Sequence, residues 1–79
     1  MRPSKSKIQE VIQAHLHKDE KGEYLSYDEA EQMLEEEILP EFIGITAQYK
    51  SSASGNEILV ISSATGRSEY ARYRIKRLS

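Results

Sequence analysis

The sequence contains no cysteine and no tryptophan, and the missing cysteine removes several kinds of protein at once. Without cysteine there is no disulfide framework, no thiolate metal site and no thiol nucleophile. A chain of 79 residues must therefore be stabilised by packing or by association with a partner. The absence of cysteine also fits a reducing compartment, and we expect a cytoplasmic protein.

Long apolar runs are missing as well. No run approaches the ~20 apolar residues that a helix needs to cross a bilayer. Residues 1–7 are basic, but an amphipathic pattern follows them instead of an unbroken apolar stretch, so they do not form a secretory signal. We expect no membrane contact. The length predicts one small domain over residues 1–79, of which residues 1–5 are flexible.

Motifs that carry catalysis are also absent. The sequence has no Gly-x-Ser-x-Gly elbow, no phosphate-binding glycine-rich loop with lysine and no His-Glu-x-x-His zinc motif. Its serines fall largely in predicted turns, where serine is favoured because it forms local hydrogen bonds. We therefore expect a protein that is not an enzyme, with no catalytic residue and no cofactor.

Metal binding is not predicted either. On a regular helix His15 and His17 lie about 200° apart, so they cannot bind one metal ion together. The charged segment before Glu29 has the length of a calcium-binding loop, but Lys18 stands at its first ligand position, where calcium requires oxygen. We expect His15 to be a core histidine that is hydrogen-bonded to a carbonyl or a carboxylate.

The first helix is predicted over residues 6–17. Ser6 and Gln9 have the spacing of a capping box, in which side chains satisfy backbone N–H groups of the first turn. A polar loop follows this helix, and after it Tyr24 and Leu25 could form no more than a very short strand. The apolar residues of this helix share one face: Ile8, Val11, Ile12 and Leu16.

The second helix is predicted over residues 27–38. Ser26 and Glu29 form another capping box, and Asp28 adds negative charge to the first turn, where the helix dipole favours it. Pro40 disfavours the helical conformation of the residue before it, so the helix should end near residue 38.

From Ile43 onward the apolar period changes from 3.6 to 2, which indicates strands. Strands are expected over residues 43–50, 57–63 and 69–77, joined by two short turns. This pattern predicts an α+β fold in which two N-terminal helices pack on one face of a three-stranded antiparallel meander, in the order α-α-β-β-β. The predicted core consists of Val11, Ile12, Leu16, Ala30, Leu34, Ile45, Ala47, Tyr73 and Ile75.

Charge is distributed unevenly along the chain. Residues 8–41 carry eleven acids and two lysines, a net charge of −9. Residues 42–79 carry six bases and two acids, a net charge of +4. With the three bases of residues 1–7 the sum is −2. Such asymmetry is typical of chains with a polyanion-binding face or with an acidic surface for a basic partner.

The last strand offers a basic face. Alternation places its basic residues in one row, headed by Tyr70, and turns Ala71, Tyr73 and Ile75 toward the helices. The middle strand is apolar on both faces, so either Ile58 and Val60 or Leu59 and Ile61 must lie beside the basic row. An apolar strip rimmed by arginine and tyrosine is typical of protein interfaces.

We therefore expect a small interaction module, a regulator or inhibitor, that binds another protein or a second copy of itself. The predicted partner-binding residues are Ile58, Val60, Tyr70, Arg72, Arg74 and Lys76.

Two other functions remain open at this point. A nucleic-acid-binding domain would hold phosphates and stack bases with Arg67, Tyr70, Arg72, Arg74, Lys76 and Arg77. An acidic decoy would place helix 27–38 in a basic groove through Asp28, Glu31, Glu35 and Glu36. A basic edge strand also repels unwanted strand pairing without any binding function.

Overall fold

The computed structural model of the chain describes residues 2–51, 53 and 55–77. Two helices and a five-stranded sheet give an α+β fold, as predicted. The elements in chain order are α1 (Lys5–Gln13), β1 (His17–Asp19), β2 (Gly22–Ser26), α2 (Tyr27–Met33) with a π-helical continuation (Leu34–Ile38), β3 (Ile45–Ser51), β4 (Glu57–Ser63) and β5 (Glu69–Lys76).

The predicted three-stranded antiparallel meander is wrong. The sheet is mixed, with strand order β1-β2-β5-β4-β3, and β2 runs parallel to β5 while the other pairs are antiparallel. The two additional strands lie between the helices in sequence, so the order α-α-β-β-β is also wrong. Segment 17–26 is mostly polar, and its strands form through pairing with distant β5, which no local pattern indicates.

Helix α1 is shorter than predicted. It begins at Lys5 rather than at residue 6, because the side chain of Ser4 accepts a hydrogen bond from the Lys7 N–H at 3.2 Å. It ends at Gln13, and His17, which the prediction placed in the helix, pairs with Tyr24 in the β1–β2 hairpin. Pairing with β2 thus overrides the helical apolar period of this segment.

Helix α2 follows the predicted span, but its second half is wound more widely. The Ser26 side chain accepts a hydrogen bond from the Glu29 N–H at 3.3 Å, which confirms the predicted cap. Over Leu34–Ile38 the backbone is π-helical, and the Leu39 N–H donates to the Leu34 carbonyl at 2.8 Å. The chain leaves the helix around Pro40.

Both helices pack on the same face of the sheet and form one core with it. Of the predicted core, Ile12, Ala30, Leu34 and Ile75 are buried, and the other five members are half-buried against them. The core also contains residues that the prediction did not include: Ile8, Leu25, Met33, Ile38, Phe42, Leu59, Ile61 and Ala71.

The two faces of β4 have different surroundings. Leu59 and Ile61 belong to the core under the helices. Ile58 and Val60 lie on the opposite face, where they pair with Arg74 and Arg72 of β5. Of the two arrangements that the sequence left open, the structure therefore has Ile58 and Val60 beside the arginines.

Within the described ranges, neither helix has the length and apolar character needed to span a membrane.

Candidate binding surface on the sheet

The outer face is the face of the sheet opposite the helices. The register of the strands places its residues as cross-strand neighbours. Among the described residues, no helix packs on this face. Its members are Tyr24, Thr46, Gln48, Lys50, Ile58, Val60, Ser62, Arg72, Arg74 and Lys76.

The centre of the outer face is apolar. Val60 is 5% exposed and Ile58 is half-buried, although no helix covers either of them. Val60 lies between Gln48 and Arg72 of the neighbouring strands, and Ile58 lies between Lys50 and Arg74. Because long polar side chains bury their stems along apolar neighbours, they screen this pair from water.

At one end of the basic row, Asp19 pairs with two cations. Arg74 donates hydrogen bonds to the Asp19 carboxylate and to the Gly22 carbonyl, and the Lys76 ammonium lies 2.9 Å from Asp19 Oδ2. The hydrogen bond from Arg74, with that from Lys76, holds the pKa of Asp19 well below its usual range. These contacts fasten the β1–β2 turn to β5 across β2.

Tyr24 is the aromatic residue of the basic row. The guanidinium of Arg74 and the ammonium of Lys76 lie 5.5 Å and 4.8 Å from the centre of its ring. The His17 ring stacks on it at 5.5 Å. Each exposed cation–π contact contributes on the order of 0.5–1 kcal/mol. Sequence reasoning missed Tyr24 because only the parallel pairing of β2 with β5 brings it there.

Tyr70 does not stand in the basic row, contrary to the prediction. The register of β4 with β5 shifts between Ile61 and Ser62, so that these residues pair with Ala71 and Glu69 and one residue of β5 is left over. The Tyr70 side chain packs against the core instead, and its carbonyl accepts a hydrogen bond from the Gln9 side chain at 3.1 Å.

The remaining arginines are dispersed. Arg72 is exposed on the outer face and pairs with Glu69 at 2.8 Å, which lowers the pKa of Glu69. Arg77 pairs with Glu57 at 2.6 Å, and its guanidinium stacks 4.0 Å from the ring centre of Tyr27 on α2. Arg67 lies in the exposed turn between β4 and β5. The predicted nucleic-acid set therefore does not form one continuous ladder.

The four acids of the predicted decoy surface are exposed, and three of them line two separate grooves. Glu31 and Glu35 border a groove of about 350 Å³ between the helix and β3. Glu36 borders another groove, of about 470 Å³, together with Glu10 of α1. Asp28 lies in the first turn of α2 and is exposed.

Each histidine has one short contact with a carboxylate of the second helix. His15 is half-buried at the surface, not in the core, and its Nε2 contacts Glu37 Oε2, the carboxylate partner that was expected for it. His17 Nε2 lies 2.6 Å from Glu29 Oε1, and this hydrogen bond lowers the pKa of Glu29. His15 Nδ1 also lies 3.9 Å from Glu29 Oε2, so both imidazoles contact this one carboxylate. No group of ligands that could hold a metal ion occurs among the described residues.

No protein-family model matches the chain, and no curated protein or solved structure is significantly similar to it. Function is therefore inferred from the surfaces described above.

Proposed function

We propose that the chain is a small protein–protein interaction module that docks a partner protein on its outer face and thereby regulates or inhibits it. One observation carries the proposal: the helices cover one face of the sheet, and the other face combines an apolar centre, Ile58 and Val60, with the arginines Arg72 and Arg74. Apolar centres with arginine beside them are favourable cores for protein interfaces. The lack of cysteine supports a cytoplasmic location for this interaction.

The charge of the outer face favours an acidic partner. Its four cations are Lys50, Arg72, Arg74 and Lys76, and the carboxylates that pair with them are Asp19 and Glu69. Four positive and two negative charges leave a net charge of +2 among these residues. A protein with an apolar patch and a carboxylate rim complements this surface. Two copies of the chain would place like-charged rims against each other, which disfavours a homodimer through this face.

The alternatives have less support from the contacts. Arg72, Arg74 and Arg77 each have a carboxylate partner within the chain, and a phosphate would have to displace it. Arg77 moreover stacks on the helix side of the molecule. The internal pairs weigh equally against a carboxylate partner, so the protein partner is favoured by placement: with Arg77 on the helix side, the outer face has no continuous basic row for a nucleic-acid backbone. Glu31 and Glu36 border different grooves, and this arrangement does not favour a single acidic decoy surface.

The test compares two charge reversals in the immobilised chain. Arg72→Glu changes the outer face, and Arg67→Glu makes the same change in the exposed β4–β5 turn. A protein captured from nuclease-treated extract should lose its binding to the Arg72→Glu variant and keep its binding to the Arg67→Glu variant. Its affinity should fall only modestly at high salt, because the interface has an apolar centre.

Three results would contradict the proposal. Binding that disappears with nuclease indicates phosphate contacts. Equal binding of both variants indicates that the outer face is not used. A dimeric chain in sedimentation that becomes monomeric with Arg72→Glu indicates that a second copy occupies this face.

A further inference from the structure

The outer side of β3 is an open strand edge. Among the described residues β3 pairs with β4 and with no other strand. The Ala64 N–H donates to the Gly44 carbonyl at 2.9 Å, and this bond fixes the phase of the antiparallel ladder that follows. Because hydrogen-bonded and non-hydrogen-bonded pairs alternate, Ile45, Ala47 and Tyr49 turn their N–H and C=O groups away from β4. These groups are available to another strand.

This edge lacks the features that protect other edges. Its register with β4 is unbroken from Ile45 to Ser51, and Lys50 is its only charged residue. At the opposite end of the sheet, β1 has three residues, of which Lys18 and Asp19 are charged. Short length, charge, proline and bulges are the usual means of preventing strand addition. The seven residues of β3 therefore form the edge that is suited to pairing.

A groove runs beside the edge, between β3 and the second helix. Its volume is about 350 Å³. Apolar side chains are unusually exposed near it, since Leu39, Ile43 and Tyr49 are 48%, 68% and 36% exposed. The groove is lined by Glu31, Leu34, Glu35, Leu39, Ile45, Thr46, Ala47 and Tyr49.

The charge of the groove selects its occupant. Glu31 and Glu35 are its only charged lining residues, and both are acidic. Partial burial raises the pKa of Tyr49 to about 12; the negative charge of Glu31 adds to the shift and Arg77 opposes it. A second copy paired edge to edge would bring its own acidic helix toward the first, which costs repulsion. A basic segment would instead be attracted.

The spacing of the acids also matches an extended chain. Glu31 lies in the α-helical part of the second helix and Glu35 in its π-helical part, so the two are roughly 5–6 Å apart along the axis. Two residues of a strand on the same face are about 6.8 Å apart. An added strand that runs along the second helix would therefore place basic side chains at positions i and i+2 beside one glutamate each, with their aliphatic stems on the apolar floor.

We propose that the free edge of β3 and the groove beside it bind an extended protein segment that carries Lys or Arg at positions i and i+2, flanked on the same face by apolar residues. The segment adds a sixth strand to the sheet. The site shares β3 with the outer face, but it uses the strand edge and the helix side of the sheet, so it does not depend on the function proposed above.

The probe is a synthetic peptide, acetyl-TVTKTKTVT-amide, whose valines and lysines share one face of an extended strand. Two control peptides have the same length. In TVTETETVT glutamate replaces lysine, and in TVTKKTTVT the lysines point to opposite faces. Titration into the full chain is followed by the amide chemical shifts and by hydrogen exchange of Ala47 and Tyr49.

The matched protein variants are two double charge reversals. Glu31→Lys with Glu35→Lys changes the edge groove, and Glu10→Lys with Glu36→Lys changes the other groove by the same charge. The first should weaken binding of TVTKTKTVT roughly tenfold and favour the glutamate peptide, whereas the second should leave the preference for lysine. Circular dichroism checks the fold of each variant.

A third variant tests the edge itself. Ala47→Pro removes an outward N–H without removing a ladder bond to β4, and it should abolish peptide binding. If circular dichroism shows that this variant is unfolded, the two double charge reversals alone test the proposal.

The expected result is protection of the Ala47 and Tyr49 amides by TVTKTKTVT and by neither control peptide. Arg72→Glu should leave this binding unchanged, so that failure of the outer-face proposal and failure of this one are distinguishable. The proposal is overturned if no peptide shifts the β3 amides, or if all three bind equally. It is also overturned if the chain sediments as a dimer with these amides already protected, because a second copy then occupies the edge.

Discussion

The two sides of β5 are held by different forces. Toward β4, Ile61 pairs with Ala71 and Leu59 pairs with Tyr73, and all of these side chains pack in or against the core. Toward β2, Leu25 beside Ile75 supplies the apolar contact. The rest of that side is polar and aromatic, since Asp19, Arg74, Lys76 and the ring of Tyr24 bind one another.

The two sides also differ in how far apart in sequence their paired strands lie. The β3–β4–β5 side is built from consecutive strands, and its stability rests on buried apolar area, which scarcely depends on pH. The β1–β2 side is joined to a strand about fifty residues away in sequence, and much of its attachment is electrostatic. It should therefore open more easily, and acid should affect it first.

The largest effect is expected from Ile61→Ala on the apolar side. Ile61 is fully buried at the centre of the sheet, and its truncation should lower the free energy of unfolding by about 2–5 kcal/mol. Because small domains are only marginally stable, much of the chain should unfold. Chemical denaturation measures the change. Ile58→Ala, on the outer face of the same strand, is the control and should cost less; an equal loss would mean that the outer face also forms a core.

A smaller, regional effect is expected from Asp19→Asn on the polar side. The change removes the charge that holds Arg74 and Lys76, so the β1–β2 hairpin should detach more often. Amide hydrogen exchange should become several-fold faster over residues 17–24 and stay unchanged over residues 57–63. Uniform acceleration across both regions would show that the two sides do not open independently.

Lowering the pH should destabilise the polar side of β5 and leave the apolar side largely unchanged. The pKa of Asp19 is depressed in the folded chain, so its contribution is fully present above its unfolded value of about 3.9 and is lost as pH falls through the lower folded pKa. The difference in unfolding free energy between the native sequence and Asp19→Asn should be constant above about pH 5 and shrink below it. A difference that already shrinks between pH 7 and pH 5 would exclude Asp19 as its source.

The smallest effect on folding is expected from Arg72→Ser. Arg72 is exposed and pairs with Glu69 three residues away, and such pairs contribute little. Unfolding free energy should change by no more than about 0.5 kcal/mol. Arg74→Ser is the comparison, because Arg74 also binds Asp19 and the Gly22 carbonyl and should destabilise the hairpin more. Equal effects would mean that the Asp19 contacts contribute nothing.

The sequence predicted the apolar side of β5 well. The alternation that begins at Ile43 places β3, β4 and β5 within two residues of their observed bounds, because period two directly reflects burial of one face. The cap at Ser26 likewise located α2. Both signals depend only on residues close together in sequence, and the elements that they predict are present in the structure.

The polar side was missed for physical reasons. Segment 17–26 has little apolar alternation, and its strands are stabilised by residues of β5 far along the chain. Tyr24 could not be assigned to the basic row without that pairing. Tyr70 was misplaced because one extra residue in the β4–β5 register shifts the side of the sheet that it faces. The sequence therefore placed Arg72 and Arg74 in one row, left the choice between the two apolar pairs of the middle strand open, and missed the aromatic residue of the row.

Methyl chemical shifts of the chain, recorded with and without its captured and purified partner protein, test the outer face most directly. Ile58 and Val60 report on that face, and Leu59 and Ile61 of the same strand report on the core. The proposal predicts that the partner shifts the Ile58 and Val60 methyl signals strongly and the Leu59 and Ile61 signals little. Unchanged Ile58 and Val60 signals in a complex that has demonstrably formed would contradict it.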